Sequence, residues 1–201
     1  MSNSLERFLS LPGRLLLDTC TLNMIQDEGA YVFEGEIPEG ITELEIPQDL
    51  KALRYIFQVN ERASFQFLVS SLTFAELTNA KDIIQNQRRI QWALDVLDTW
   101  LIVLEETGDR VAEGGTVRHR FKLTEQLQEL ENRLMSIPDF RRDPLDRLLL
   151  IQYKMGNCDA FLTIDRNTIW RHRDWLLNEG IRILSPSEFW ELLKPYAALW
   201  Y

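Results

Sequence analysis

The sequence predicts an α/β chain, with a central parallel sheet of four or five short strands and helices covering both faces. Three observations carry that expectation. The candidate strands at 15–18, 67–70, 160–164 and 181–184 are short and almost wholly apolar, as strands buried on both faces must be. Helical segments separate them, which suits parallel strands joined by crossovers. Four apolar stretches also end in an acid or are led into by one, and such a sheet would gather these acids at the rim beyond its strand ends.

The elements follow in order. Leu15-Leu16-Leu17 is too short for a helix and reads as a buried strand ending at Asp18. A helix is expected over 18–26, with Asp18 or Thr19 near its cap. Residues 27–49 carry Asp27, Glu28, Glu34, Glu36, Glu39, Glu43, Glu45 and Asp49 without a lysine or arginine, punctuated by glycines and prolines. They read as an acidic insertion, either a plain surface excursion or a small hairpin pairing 31–33 with 41–46. A helix over 48–62 places Leu50, Leu53, Ile56 and Phe57 at helical spacing. After the strand at 67–70, Thr73-Phe74-Ala75-Glu76 has the form of a capping box. A long helix over 82–100, a short strand at 100–104 and a break marked by Gly108, Gly114 and Gly115 come next.

A helix over 123–135 lines up Leu123, Leu127, Leu130 and Leu134. Asp143 then caps a helix that has Pro144 at its first position, runs to Met155 and stops at Gly156. The strand at 160–164, a helix over 167–178 and the strand at 181–184 lead to Ser185-Pro186-Ser187-Glu188, the start of a final amphipathic helix. A length of 201 residues suits one domain, spanning 1–201 with the insertion at about 27–49.

Composition narrows the classes. No run of about 18 apolar residues exists, which predicts no membrane span, and the first eight residues lack the pattern of a secretory signal. Cys20 and Cys158 stand alone, without zinc spacing, and predict buried thiols in a reducing, cytoplasmic setting. The net charge of −9 argues against a polyanion partner. Two facts work the other way. Carboxylates that hold a cation inflate the count, and basic residues are grouped at Arg118-His119-Arg120 with Lys122, at Arg141-Arg142, and at Arg166 with Arg171-His172-Arg173.

Acids delivered to one sheet rim form a patch of negative charge that is unstable alone and stabilised by a divalent cation. The strand-end acids therefore predict a metal-dependent enzyme. The motifs also occur in a definite order. They are Leu17-Asp18-Thr19; Ser71-Leu72-Thr73-Phe74-Ala75-Glu76; Asp146-Arg147-Leu148-Leu149-Leu150-Ile151 with Gly156 downstream; Phe161-Leu162-Thr163-Ile164-Asp165; and Gly180-Ile181-Arg182-Ile183-Leu184-Ser185-Pro186. This series, covering most of the chain, resembles the PIN-domain nucleases, which include the VapC-like ribonucleases.

The resemblance implies a three-layer α/β/α PIN-like fold. It implies that Asp18, Glu76, Asp146 and Asp165 are the catalytic, metal-binding quartet, with Thr19, Ser71 and Thr163 as polar neighbours. It further implies a Mg²⁺- or Mn²⁺-dependent endoribonuclease that hydrolyses phosphodiester bonds with metal-activated water. Such a protein is often the toxin of a toxin–antitoxin pair, so an antitoxin partner and a homodimer are expected with the RNA substrate. Arg166, Arg171 and Arg173 follow the fourth acid and are candidates for phosphate contact, against the plainer reading of a solvated helix face. Three departures stand out: Cys20 where an Asn is often found, the length of the 27–49 insertion, and a chain larger than the compact toxin members.

Each acid also has a structural reading. Asp18 reads as a helix cap and Glu76 as half of a capping box, roles compatible with metal binding because a helix N-terminus favours a carboxylate. Asp143 reads as structural, and Asp159 lies at the far end of its strand from Asp165. A nuclease-like module that binds protein without turnover is the alternative, suggested by the insertion and the aromatic tail (Trp190, Tyr196, Trp200, Tyr201). An aspartyl-nucleophile phosphohydrolase is disfavoured because Cys20 stands where its second acid belongs. A dinucleotide site is disfavoured because no Gly-x-Gly-x-x-Gly follows the first strand. His119 and His172 have no triad partners in the sequence and receive no catalytic role.

Overall fold

The computed structural model describes residues 10–63, 65–70, 73, 87, 91–92, 101–104, 110–112, 116–118 and 123–199. In chain order the strands are β1 (Arg14–Leu17), β2 (Gln66–Ser70), β3 (Leu101–Leu104), β4 (Arg110–Ala112), β5 (Thr116–Arg118), β6 (Ala160–Leu162) and β7 (Ile183–Leu184). The α-helices are α1 (Thr19–Asp27), α2 (Gln48–Ala63), α3 (Glu125–Ser136), α4 (Pro138–Arg142), α5 (Pro144–Met155), α6 (Arg173–Asn178) and α7 (Pro186–Leu193).

Five strands form one parallel sheet in the order β3-β2-β1-β6-β7. Alternation along β1 shows why both faces are covered. Leu15 and Leu17 enter one core with Phe67, Val69, Ala160 and Leu162, against α1, α2 and α7. Leu16 enters the other with Leu68, Phe161 and Ile183, against α3, α5 and α6. Successive side chains of a strand point to opposite faces, so three consecutive leucines at 0% exposure require a layer of helices on each side. The result is the three-layer α/β/α arrangement that the sequence predicted, with five strands.

The chain runs outward from β1 through β2 to β3, then crosses back to place β6 on the other side of β1. The order therefore reverses between β1 and β6. In an open parallel sheet the crevice beyond the carboxyl ends of two such strands is where ligands sit. Asp18 and the segment 163–165 leave β1 and β6 at that crevice.

The insertion differs from both readings offered for it. Residues 31–33 and 41–46 do not pair; Ala30–Glu34 is a π-helical turn and 43–45 is a turn. Nor is the segment purely superficial, since Tyr31, Val32 and Ile46 are all at most 2% exposed in the core beside α2. The Tyr31 hydroxyl donates to Glu43 Oε1 at 2.8 Å, and Arg54 of α2 lies over its ring at 5.2 Å. Burial of Tyr31 against α2 outweighs the weak pairing preference of a glycine- and proline-rich segment. Gly35 closes the π-helical turn with φ 79°, and a Cβ there would collide with the Arg54 guanidinium. Gly35→Ala is therefore expected to cost about 1–2 kcal/mol in urea unfolding, from the left-handed backbone alone.

Several other elements depart from expectation. Where the glycines predicted only a break, β4 and β5 pair antiparallel, with Val111 opposite Val117. The short helix α4 was not foreseen. α5 has the predicted bounds and stops after Met155, but the left-handed residue is Asn157 (φ 48°) while Gly156 keeps φ −77°. The helix expected over 167–178 is broken into a turn, a 3₁₀ segment at Ile169–His172, and α6. Of the helix expected over 82–100, only 87, 91 and 92 are described, and they are helical. The final helix starts as predicted. Ser185 Oγ accepts from Glu188 N at 3.1 Å, and Ser185 N donates back to Glu188 Oε2 at 3.2 Å.

Candidate functional site

Asp18 follows β1 and caps α1. Its Oδ1 accepts from the backbone N–H of Cys20 and, at 3.2 Å, of Thr21. Its Oδ2 accepts from the Thr163 hydroxyl, just beyond β6. The two strand ends are also laced together, since Asp18 N and Thr21 Oγ1 both donate to Leu162 O at 3.2 Å. Asp18 is only 5% exposed. Burial pushes its carboxyl above the usual range and the charge of Asp165 adds to that, while the bonds from Thr163, Thr21 and Cys20 oppose it.

Asp165 lies two residues beyond Thr163, and its N–H donates to Thr163 Oγ1 at 3.0 Å. One hydroxyl thus serves both strand-end acids, donating to Asp18 and accepting from the Asp165 backbone. Asp165 then shapes its own turn. Oδ1 accepts from Asn167 N at 2.7 Å and Oδ2 from Thr168 Oγ1 at 2.6 Å. These bonds hold 166–168 in a turn and delay the helix, which is why the predicted helix starts late.

Asp146 comes from α5. Asp143 caps that helix, accepting from Leu145 N at 3.0 Å and Asp146 N at 3.2 Å, the structural role expected of it. The buried Arg147 donates from Nη1 to the Phe140 and Arg141 carbonyls at 2.6 and 3.2 Å, which fixes the start of α5 against the end of α4. The Asp146 carboxyl is pushed up to about 7, mainly by burial and then by the charges of Asp143, Asp18 and Asp165, with a hydrogen bond to Thr168 acting the other way. Its Oδ2 is buried without a hydrogen-bond partner.

Three of the four predicted acids therefore influence one another electrostatically at the β1/β6 crevice, with Thr163 bridging Asp18 and Asp165 and Thr168 held on Asp165. Thr168 was missed from the sequence, where an Asp165-x-Asn167-Thr168 run signals only a local turn. A hydroxyl has one proton. Thr168 gives it to Asp165, and Asp146 Oδ2 stays without a donor.

Glu76 and Ser71 lie outside the described residues; Thr73 of the same motif is helical and buried. Thr19 is on the first turn of α1, beside the capping carboxylate. Among the described residues, no three His, Cys, Asp or Glu side chains close around a single ion position. The donor chemistry nevertheless suits a hard divalent cation. All the groups offer oxygen, an unpartnered buried carboxylate oxygen costs about 1–3 kcal/mol, and two carboxyls sit above their ordinary pKa mainly because they are buried.

The three arginines follow Asp165 in the chain and are all paired. Arg166 meets Asp49 at 3.1 Å and stacks 3.8 Å above the Trp170 ring. Arg171 meets Asp139 at 3.3 Å, and Arg173 meets Glu188 at 3.2 Å while lying 4.5 Å over the same indole. Asp49, not foreseen, also accepts from Ser187 N at 3.0 Å and Ser187 Oγ at 2.6 Å, so one carboxylate ties α2, α7 and the loop after Asp165. Exposed ion pairs of this kind contribute at most about 1 kcal/mol each and exchange readily for a phosphate.

Of the remaining candidates, His172 bonds Asp139 at 2.9 Å, and His119 lies outside the described residues. Asp159 sits at the opposite rim, as expected, where Oδ2 accepts from Gly13 N and Arg14 N at 2.9 Å. Cys158 is buried, which pushes its thiol up to about 11, whereas Cys20 is exposed, contrary to expectation, because it lies on the outer side of the first turn of α1. Trp190 stacks on Tyr55 at 5.0 Å, so this part of the aromatic tail packs on its own fold. No described helix is long and apolar enough to cross a membrane.

Compared with known proteins, the chain matches no family model, no curated protein and no solved structure.

Proposed function

We propose that the protein is a Mg²⁺- or Mn²⁺-dependent endoribonuclease. The observation that carries this reading is the pair of buried carboxyls of Asp18 and Asp146, both pushed above the ordinary range mainly by burial, beside Asp165 at the β1/β6 crevice. A bound divalent cation would supply an activated water and neutralise charge that develops on the phosphate. Asp18 and Asp146 would hold it, with Asp165 after it turns from its own loop and with Glu76 as the fourth acid of the sequence pattern. Thr163 fixes the Asp18 carboxylate from one side while the first turn of α1 fixes it from the other, so the group is aimed before any ligand arrives. Arg166 and Arg173, braced on Trp170, would take a phosphate in exchange for Asp49 and Glu188. The same sequence resemblance extends the proposal to a toxin role with an antitoxin partner, to a homodimer and to a cytoplasmic setting.

The test is cleavage of a mixed RNA pool by the full chain in EDTA, in Mg²⁺ and in Mn²⁺, beside Asp165→Asn. Cleavage is expected with either metal, none with EDTA, and a loss of at least about a hundredfold in the variant. Intact RNA under all conditions would favour the non-catalytic protein-binding reading, and metal-independent cleavage equal in the variant would point to a contaminant.

A further inference from the structure

The 34–45 segment combines features that a solvated loop has no use for. Leu44 is 91% exposed, Ile37 47% and Ile41 41%, three large aliphatic side chains within eight residues. The segment is nonetheless built to hold a shape. Tyr31 and Ile46 anchor its two ends in the core. Gly35 and Gly40 supply the left-handed turns (φ 79° and 83°). Glu45 Oε2 clamps Thr42, accepting from its N at 2.7 Å and its Oγ1 at 2.9 Å. Interleaved with the aliphatics in the same stretch are Glu34, Glu36 and Glu39, all exposed and none paired with a described cation, with no lysine or arginine anywhere in the insertion. Exposed apolar side chains rimmed by charge mark an interaction surface.

The charge selects the partner. A stretch whose own charged residues are all acidic repels RNA, DNA and anionic lipid, which disfavours nucleic acid and a membrane surface as occupants. We propose that the 34–45 segment is a docking surface for a basic, amphipathic segment of another protein chain. Its aliphatic side chains would cover Ile37, Ile41 and Leu44, and its lysines or arginines would meet Glu34, Glu36 and Glu39. This inference is independent of the catalytic reading.

The probe is a synthetic lysine–leucine amphipathic peptide titrated onto the full chain by calorimetry, with hydrogen exchange locating the contact. Binding is expected to weaken at least about tenfold, or roughly 1.4 kcal/mol, in an Ile37→Ser/Ile41→Ser/Leu44→Ser variant. Glu34→Gln/Glu36→Gln/Glu39→Gln should weaken it comparably and flatten its salt dependence. Leu177→Ser/Leu199→Ser, which removes exposed leucines elsewhere, should leave it unchanged. Protection on binding should concentrate within 34–45. The proposal is overturned if the aliphatic triple variant binds like the wild type, if a lysine-only peptide binds as tightly, or if protection falls on another face. Unchanged melting temperatures in the variants separate lost contact from lost fold.

Discussion

Asp18→Asn is expected to reduce RNA cleavage by at least about a thousandfold while leaving the metal-free protein as stable as the wild type or more stable. The two effects have one cause. Asp18 is the most buried of the three described acids, and burial raises its pKa, so its ionised form is held at a cost that only a cation offsets. Asparagine keeps an oxygen for the Cys20 and Thr21 N–H groups and is as good a helix cap as aspartate. It meets Thr163 with an amide in place of a carboxylate, and the hydroxyl has a lone pair free to accept from it. The fold loses little and a buried charge disappears. A metal-assisted step loses several kcal/mol of charge stabilisation, and ~4 kcal/mol is about a thousandfold in rate. Thermal melting without metal, beside single-turnover cleavage, reads both effects. A variant that is inactive because it is unfolded would show a lowered melting temperature.

The metal-free protein is expected to lose stability as pH rises from about 4 to about 7, and Asp146→Asn to remove most of that loss. Asp146 titrates near 7 in the fold and near its ordinary carboxylate value, about 3.9, when unfolded. Between those values the folded state holds the proton and the unfolded state does not, so raising the pH favours unfolding. Below the unfolded pKa both states are protonated and the contribution is fully present; above about 7 it is gone. Asp18 acts in the same direction. Three units would be about 4 kcal/mol at most, and relaxation of a half-buried group brings this to the order of 2 kcal/mol, or about 4–8 °C in melting temperature for a chain of this size. Mg²⁺ or Mn²⁺ should restore the loss at pH 8 in the wild type and much less in the variant. A wild-type profile that rises through this window in the absence of metal would refute the coupling.

Local signals made much of the fold legible. Three leucines before Asp18, Pro144 after Asp143, and Ser185 three residues before Glu188 each name a strand or helix end by chemistry acting over a few residues, and each element stands where it was expected. The elements misread depend on partners remote in sequence. Tyr31 belongs to the core only because α2 brings Arg54 and a buried face against it. The helix expected from 167 is held back by the Asp165 carboxylate, a choice between two local geometries that apolar spacing does not reveal. At the site, the strand-end positions of Asp18 and Asp165 followed from the alternation of strands and helices. The bond from Thr168 to Asp165 and the charge coupling of Asp165 to Asp146 did not, because the second joins a loop to a helix about twenty residues upstream in the chain. The arginine group was visible as composition, but Asp49, Asp139 and Glu188 pair with it from three separate elements.

The most direct measurement is Mn²⁺ affinity of the full chain, followed by electron paramagnetic resonance, for the wild type and for Asp18→Asn, Asp146→Asn and Asp165→Asn one at a time. If the carboxyls of β1, α5 and the β6 loop share one ion, each substitution weakens binding by at least about tenfold and none changes the number of sites beyond removing that one. Wild-type affinity in all three variants would mean that these oxygens never meet at a cation, and the proposed chemistry would have no seat in this fold.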